Sequence, residues 1–427
     1  MTAEVAIANA SAIALAADSA VSIGDQKIYN SALKLFSLSK VAPVGVMIYG
    51  NADLLDIPWE TLIKAHRKIL GGQTFEKLEQ YANSFLSYLQ TSPGLFSEET
   101  QHRWLTSNAS GYYTLIRDEF FSTVEDIIKE RGEIKPGEAP KVLADIVKTH
   151  YDDLKSREFA QDFGETQNKE IRSKYSDVFA EIRKEIFENL PLSTTIASRL
   201  TDIACLIHTK QIFSTGVSGL VIAGYGESEL YPAISTFDVE GVILGKLKYR
   251  VNIDKSHTIT ANNQCRIIAF AQEDMVTTFM NGINPQVLSF LQSYLTHVFS
   301  RLPELLGDKD VVDDDVFKGQ VKQLLEGFWS MLGSHLAEEQ ASPVLRMVTV
   351  LPKDELAAMA EALVNLTAFK RRITESRETV GGPIDVAVIS KGDGFIWVKR
   401  KHYFPPDLNQ HFFANYFRGI PNGQHKE

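Results

Sequence analysis

Asp18 follows Thr2 by sixteen positions, and Lys34 follows Asp18 by sixteen more. These three side chains constrain the chain more than any other feature. Asp18 ends the apolar run Ile13–Ala17, which reads as a buried strand. Lys34 lies in Ser31–Ser37, where Leu33, Leu35 and Ser37 alternate against Lys34 and Phe36. Thr2 stands behind Met1, and its side chain is small, so Met1 is of the kind a cell removes. Thr2 would then carry a free α-amino group. A nucleophile, a carboxylate and an amine so placed are the elements of an N-terminal-threonine catalytic site.

A threonine hydroxyl is a weak nucleophile until a base takes its proton. The chain's own α-amino group can do so, with an ordinary pKa of about 7.7–8.0. An ammonium from Lys34 beside it pushes that amine toward its neutral form. Asp18 holds Lys34 in place. An oxyanion needs a backbone N–H at a tight position free of a side chain. Gly50, closing the next apolar strand in Val46–Ala52, can supply it. Each residue also has an ordinary structural role: Asp after a strand as a turn residue, Lys on a strand's solvent face.

The wider sequence favours the catalytic reading. Thr2-Ala-Glu-Val-Ala-Ile7, Ala16-Ala-Asp-Ser19, Lys34-Leu-Phe36 and Ile48-Tyr-Gly-Asn-Ala-Asp53 resemble the first third of β-type proteasome subunits and the bacterial two-tier proteasome-like protease. Leu220–Tyr225 with Glu229–Asp238 is similar to that family's central hairpin, and Gly381–Ile389 to its C-terminal strand. The resemblance implies an α+β fold, a four-layer αββα sandwich of the N-terminal nucleophile hydrolase type, here with helical insertions. It makes Thr2 the nucleophile, Asp18 and Lys34 its activators and Gly50 an oxyanion donor. It places Ala20, Ile48 and Tyr49 near the pocket that selects the substrate side chain. It implies no cofactor and no metal.

Two stretches depart from that pattern. Ala269-Phe-Ala271 stands where relatives have a Gly-Ser-Gly turn whose Ser supports the amine. Arg377-Glu-Thr-Val380 stands where they place an Asp and a Ser before the Gly-Gly pair.

With 427 residues the chain exceeds one average domain. The 44% hydrophobic and 23% charged fractions are those of an ordinary globular protein. A net charge of −10 argues against nucleic acid or an anionic membrane surface as partner. No apolar run reaches the length of a membrane span, and the N-terminus lacks the basic region of a secretory signal. Cys205 and Cys265 read as buried free thiols of a reducing compartment, which with the missing signal places the protein in the cytoplasm.

The chain divides by pattern. Residues 1–74, 191–307 and 341–404 read as the sandwich, 75–190 as a helical insertion, 308–340 as a smaller helical insertion, and 405–427 as an aromatic tail. Pro58 and Glu60 suit the first turn of a helix that Gly71-Gly72 ends. Ser193 caps another through about Phe213. Lys353–Arg372 reads as the last long helix, with Leu356, Met359, Ala360, Leu363 and Leu366–Thr367 on one face.

Other motifs are weaker. Asp310 with Asp313–Asp315 lacks the Gly and bidentate Glu of a calcium loop and reads as a solvated helix start. Gly216-Val-Ser-Gly219 is not a nucleophile elbow. No His-Glu-x-x-His is present, and Gly224-Tyr-Gly226 lacks the third glycine of a dinucleotide loop. The expected function is therefore hydrolysis of a peptide or other amide bond through Thr2, in a homo-oligomer. The alternative is a proteasome-fold scaffold or assembly protein without activity.

Overall fold

The computed structural model describes residues 2–23, 27–29, 32–135, 137–188, 190, 192–214, 216–306, 315–373 and 381–417. The chain opens with β1 (Ala3–Asn9) and β2 (Ile13–Ala17), the short hairpin β3 (Val21–Ile23) and β4 (Lys27–Tyr29), then β5 (Leu35–Ser37) and β6 (Val44–Gly50). A two-residue pair, β7 (Asp53–Leu54) and β8 (Ile57–Pro58), leads into α1 (Trp59–Leu70) and α2 (Leu78–Thr91). Four longer helices follow: α3 (Glu98–Arg131), α4 (Glu138–Ser156), α5 (Glu165–Phe187) and α6 (Thr194–Thr209). The strands return as β9 (Ser218–Gly224), β10 (Ala233–Ile243), β11 (Lys246–Val251), β12 (His257–Thr258) and β13 (Cys265–Ala271). Then come α7 (Asp274–Asn281), α8 (Pro285–Leu306), α9 (Asp315–Leu336), a π-helical turn at Ala337–Ala341, α10 (Ser342–Val348) and α11 (Lys353–Ile373). The chain ends through β14 (Asp385–Ser390), β15 (Gly394–Lys399) and α12 (Gln410–Phe417).

Two antiparallel sheets organise this mixed α and β fold. The first has the order β13-β1-β2-β14-β15, the second β11-β10-β9-β6-β5 with β12 paired to β10. Alternation along each strand assigns its faces. In β1 and β2, Val5, Ile7, Ala14 and Ala16 pack with Leu356, Ala360 and Leu363 of α11. Ala6, Ala8, Ile13, Leu15 and Ala17 turn the other way, into a cluster shared with Met47 and Val221 of the second sheet. Both faces are buried, which explains why these strands read as near-continuous apolar runs. The second sheet behaves alike. Val44, Val46, Ile48, Leu220 and Ile222 meet Trp59, Leu62, Tyr81 and Phe85 of α1 and α2.

Several local signals act as their chemistry dictates. Pro58 precedes α1, Glu60 lies in its first turn, and Gly71 ends it at positive φ. Ser193 Oγ accepts the Ile196 N–H and starts α6. On α11 the buried face is Leu356, Ala357, Ala360, Leu363, Val364 and Thr367, whereas Leu366 faces solvent. Cys265 is only half-buried in β13, and its Sγ donates to Leu345 O at 3.2 Å.

Helices α3 to α6 pack on one another through Tyr113, Phe120, Ile171, Phe179 and Leu200. By contrast α2, read from sequence with the insertion, lies on the second sheet beside α1. Lys248 of β11 ties α6 to that sheet. Its Nζ donates to Ile207 O and Ile212 O and meets Glu240 Oε2, each at 2.6 Å. The acidic stretch Asp310–Asp314 and the stretch Arg377–Val380 lie outside the described residues, as does the tail beyond residue 417. No described helix is long and apolar enough to cross a membrane.

Candidate active site

The first residues of β1 place Thr2 and Glu4 on the face that continues through Ala6 and Ala8, between the two sheets. Register then builds the surroundings. Glu4 pairs with Ala17 across β2 and with Phe270 across β13, and Ala17 pairs on its other side with Asp385 of β14. Phe270, Glu4, Ala17 and Asp385 thus form one row across the first sheet. Asp18 is the next residue after Ala17. From the second sheet comes Lys34, whose carbonyl accepts the Ile48 N–H at 2.9 Å and extends the β5–β6 ladder by one step.

These elements bring Thr2, Asp18 and Lys34 together. Lys34 Nζ hydrogen-bonds and ion-pairs with Asp18 Oδ1. Asp18 also accepts the Ala3 N–H on Oδ1 at 3.2 Å and the Gly381 N–H on Oδ2 at 3.0 Å, and its own N–H donates to Ala3 O at 3.1 Å. It therefore clamps the start of β1 to the start of the segment leading into β14. Next to it, the Ser19 N–H donates to Gly381 O at 3.1 Å. The Thr2 hydroxyl reaches this pair through Glu4. Its Oγ1 donates to Glu4 Oε2 at 3.0 Å, while Glu4 Oε1 lies 3.1 Å from Lys34 Nζ. One ammonium thus stands between two carboxylates, and Glu4 links it to the threonine.

All four residues are enclosed: Thr2 is 3% exposed, Glu4 1%, Asp18 0% and Lys34 6%. Thr2 is thus buried rather than facing an open cleft. Burial pushes the Glu4 carboxyl up to about 7; the positive charge of Lys34 opposes this, and the negative charge of Asp18 adds to it. Beyond Ala17 a second, part-buried pair follows, Asp385 Oδ2 with Lys401 Nζ at 2.7 Å, and desolvation lowers the Lys401 pKa.

Gly50 takes φ +80, and a Cβ there would come within 2.5 Å of Val217 O. Only glycine fits this end of β6 without strain. Tyr49 points to the inter-sheet face. Its ring lies over Gly219, where a Cβ would meet the ring at 1.9 Å, and its hydroxyl donates to Asp238 Oδ1 at 3.3 Å. Ile48 points the other way. It lies in the core under α1 and α2, so the structure does not bring it beside Thr2. The reason is alternation, since neighbours on a strand cannot share a face. Ala20 is fully buried just beyond Ser19. At the end of β13, Ala271 pairs with Ala3 and holds φ +61, a glycine-like conformation without glycine.

Sequence reasoning singled out Asp18 and Lys34 but passed over Glu4, Asp385 and Lys401. A signal for Glu4 was present: it is the sole charged residue in Ala3–Asn9, an otherwise apolar strand, two positions from the threonine.

No protein-family model matches the chain, and no curated protein matches it. Similar solved structures include the helical assembly of the Anbu complex from Pseudomonas aeruginosa, with a TM-score of 0.30, 8% identity, and coverage of 97% of this chain and 93% of that one. Anbu from Hyphomicrobium sp. strain MC1 gives 0.29 and 8%, over 100% and 99% of the two chains. Anbu (ancestral beta-subunit) from Yersinia bercovieri gives 0.28 and 8%, over 99% of each. This corrects the family drawn from the motifs. These three solved structures are Anbu chains, not β-type proteasome subunits or the two-tier protease. At this level of likeness they say nothing of this chain's chemistry.

Proposed function

We propose that the protein is an N-terminal threonine hydrolase that cleaves a peptide or other amide bond by acyl transfer to Thr2. The observation that supports this reading is the buried, continuous network Thr2–Glu4–Lys34–Asp18. A hydroxyl, two carboxylates and an ammonium in an enclosed site need a reason, because charges there are costly unless paired. Nucleophilic catalysis supplies one. Thr2 Oγ1 attacks the substrate carbonyl, and the amine leaves. Water then releases the acyl group. Lys34, fixed by Asp18, sets the charge around the attacking oxygen. Gly50 offers a backbone N–H for the oxyanion, while Ala20 and Tyr49 border the substrate side chain. Removal of Met1 frees the α-amino group of Thr2.

In this reading the two sheets and their helical faces form a four-layer αββα sandwich. The helices α3 to α5 are an insertion, as is the segment around α9, and α2 belongs with the sandwich. The protein works in the cytoplasm as a homo-oligomer, consistent with the exposed apolar residues Phe290 and Tyr294 of α8 and Leu324, Phe328 and Met331 of α9. Purified protein should hydrolyse members of a panel of fluorogenic peptide amides, and Thr2→Ala should abolish the turnover. Equal rates in the two proteins would remove the hydrolase reading.

The enclosure of Thr2 favours a second reading, an inactive scaffold of the same fold. It predicts no Thr2-dependent turnover in any oligomeric form.

A further inference from the structure

A nucleophilic threonine needs a partner for its proton, and the α-amino group is one acceptor. The geometry offers another, already hydrogen-bonded. Thr2 Oγ1 donates to Glu4 Oε2 at 3.0 Å, within the range for a general base and its substrate proton. The contact is built into the backbone. Residues two apart on a strand share a face, and β1 is held on both edges by β2 and β13, with Glu4 in register opposite Ala17 and Phe270. The other carboxylate of the network is committed elsewhere. Asp18 accepts from two backbone N–H groups and from Lys34, whereas Thr2 Oγ1 gives its hydrogen bond to Glu4. Glu4 divides its two oxygens, with Oε1 3.1 Å from Lys34 Nζ and Oε2 given to the Thr2 hydroxyl.

We propose that Glu4 is a catalytic residue of this hydrolase, the general base that takes the Thr2 Oγ1 proton and delivers it to the leaving amine. The inference rests on Thr2 being the nucleophile. In the first half-reaction the O–H bond of Thr2 breaks as its oxygen bonds the carbonyl carbon. The proton passes to Glu4 Oε2, and the carbonyl π pair moves to oxygen. Collapse breaks the C–N bond, and the amine nitrogen takes the proton from Glu4. In the second half-reaction water attacks the ester and gives Glu4 a proton. Collapse breaks the bond to Thr2 Oγ1, and Glu4 returns that proton to it. Atoms and charge balance without a cofactor.

The groups facing Glu4 suit this role. Lys34 at the start of β5 and Asp18 at the end of β2 act on it in opposite directions, Tyr49 of β6 faces the same inter-sheet space, and the Asp385–Lys401 pair lies one strand further along the row. Burial outweighs Lys34, so the carboxyl titrates at about 7 instead of in the usual carboxylate range. A base of that pKa is half-charged near neutrality, where acid–base exchange is most effective.

The test is the rate at which a β-lactone acylates Thr2, read by peptide mass mapping as a function of pH and temperature. Such a probe needs only the hydroxyl. Wild type should show a rate that rises through about pH 7 with a midpoint that barely moves on warming, because a carboxyl's ionisation has little enthalpy. An amine base would shift its midpoint downward steeply on warming. Glu4→Gln should slow acylation by about 10²–10⁴-fold and lose the inflection. Glu4→Asp should retain part of the rate with the midpoint moved. The inference fails, with Thr2 still the nucleophile, if Glu4→Gln labels within a few-fold of wild type, or if the wild-type midpoint falls with temperature as an amine's does. The temperature arm uses wild type alone, so it stands even if both variants misfold. Absence of labelling at Thr2 under every condition overturns the inference together with the hydrolase reading.

Discussion

Replacing Lys34 by Met is the most demanding test of how the network is held together. The side chain of Lys34 is 7% exposed and those of Glu4 and Asp18 are 0% exposed. Met fills a similar volume but removes the charge, leaving two carboxylates facing each other in a closed space. Breaking a buried pair in this way costs about 3–5 kcal/mol when the remaining charge stays uncompensated. Asp18 keeps its two backbone donors, so Glu4 takes most of the change. Its proton affinity, already raised by burial and Asp18, loses the opposing pull of Lys34. A carboxyl with a raised pKa in the folded state adds stability below its unfolded pKa, and that stability is lost as pH rises through the folded value. The deficit of Lys34→Met should therefore be small near about pH 5 and approach about 3–5 kcal/mol near pH 8. Urea unfolding of both proteins across that range, followed by circular dichroism, measures it. A loss below about 1 kcal/mol at the alkaline end, or one independent of pH, would refute the reasoning.

Other perturbations reach separate parts of the structure. His208 is buried between Trp104 and Phe179 with Nδ1 donating to Ala204 O, and burial lowers its pKa to about 4. It favours the neutral ring, so its own contribution, present above the unfolded pKa, should fall by about 2 kcal/mol between pH 6.5 and 5 and continue to fall through the folded value, read as the change with pH in the urea-stability difference between wild type and His208→Phe. A difference that stays constant over that range would contradict this. Ala271→Gly should relieve the backbone strain at φ +61 and raise stability by roughly 1 kcal/mol, read as a higher denaturation midpoint. A lowered midpoint would show that the Ala271 methyl matters more than its conformation. For turnover, Lys34→Ala should cost about 10²–10⁴-fold and Asp18→Asn should also slow it. The double variant should be clearly less impaired than the product of the two losses, since Asp18 acts through Lys34. A simple product would mean that the two act independently.

Legibility in the sequence followed the range of the interaction. Asp18 is legible as the charge that ends an apolar run and Lys34 as a charge within an alternating one, but the family resemblance, not either local pattern, joins them into a site. The capping by Ser193 and the termination of α1 at Gly71 were readable for a local reason. Ile48 and Tyr49 are neighbours in sequence, and only the pairing of β6 with β9 shows that the first faces the helices and the second the opposite sheet. The placement of α2 escaped as well. An apolar helical face states that something covers it, not whether the cover is a neighbouring helix or a sheet. Glu4 was hidden differently. Its charge was visible, but its function depends on Lys34 arriving from another sheet, which no periodicity within β1 encodes. Asp385 and Lys401 were missed on the same ground, since cross-strand register sets their row.

The central claim is that Thr2 is the nucleophile, and a covalent threonine-directed probe tests it most directly. Wild-type protein and Thr2→Ala would be treated with a peptide epoxyketone, measured by intact mass, digested and mapped. The account predicts an adduct of one probe per chain, carried by the N-terminal peptide on Thr2 with Met1 absent, and no adduct in Thr2→Ala. A wild-type chain that stays unmodified at Thr2, or a Thr2→Ala chain that takes up the probe equally, would contradict it.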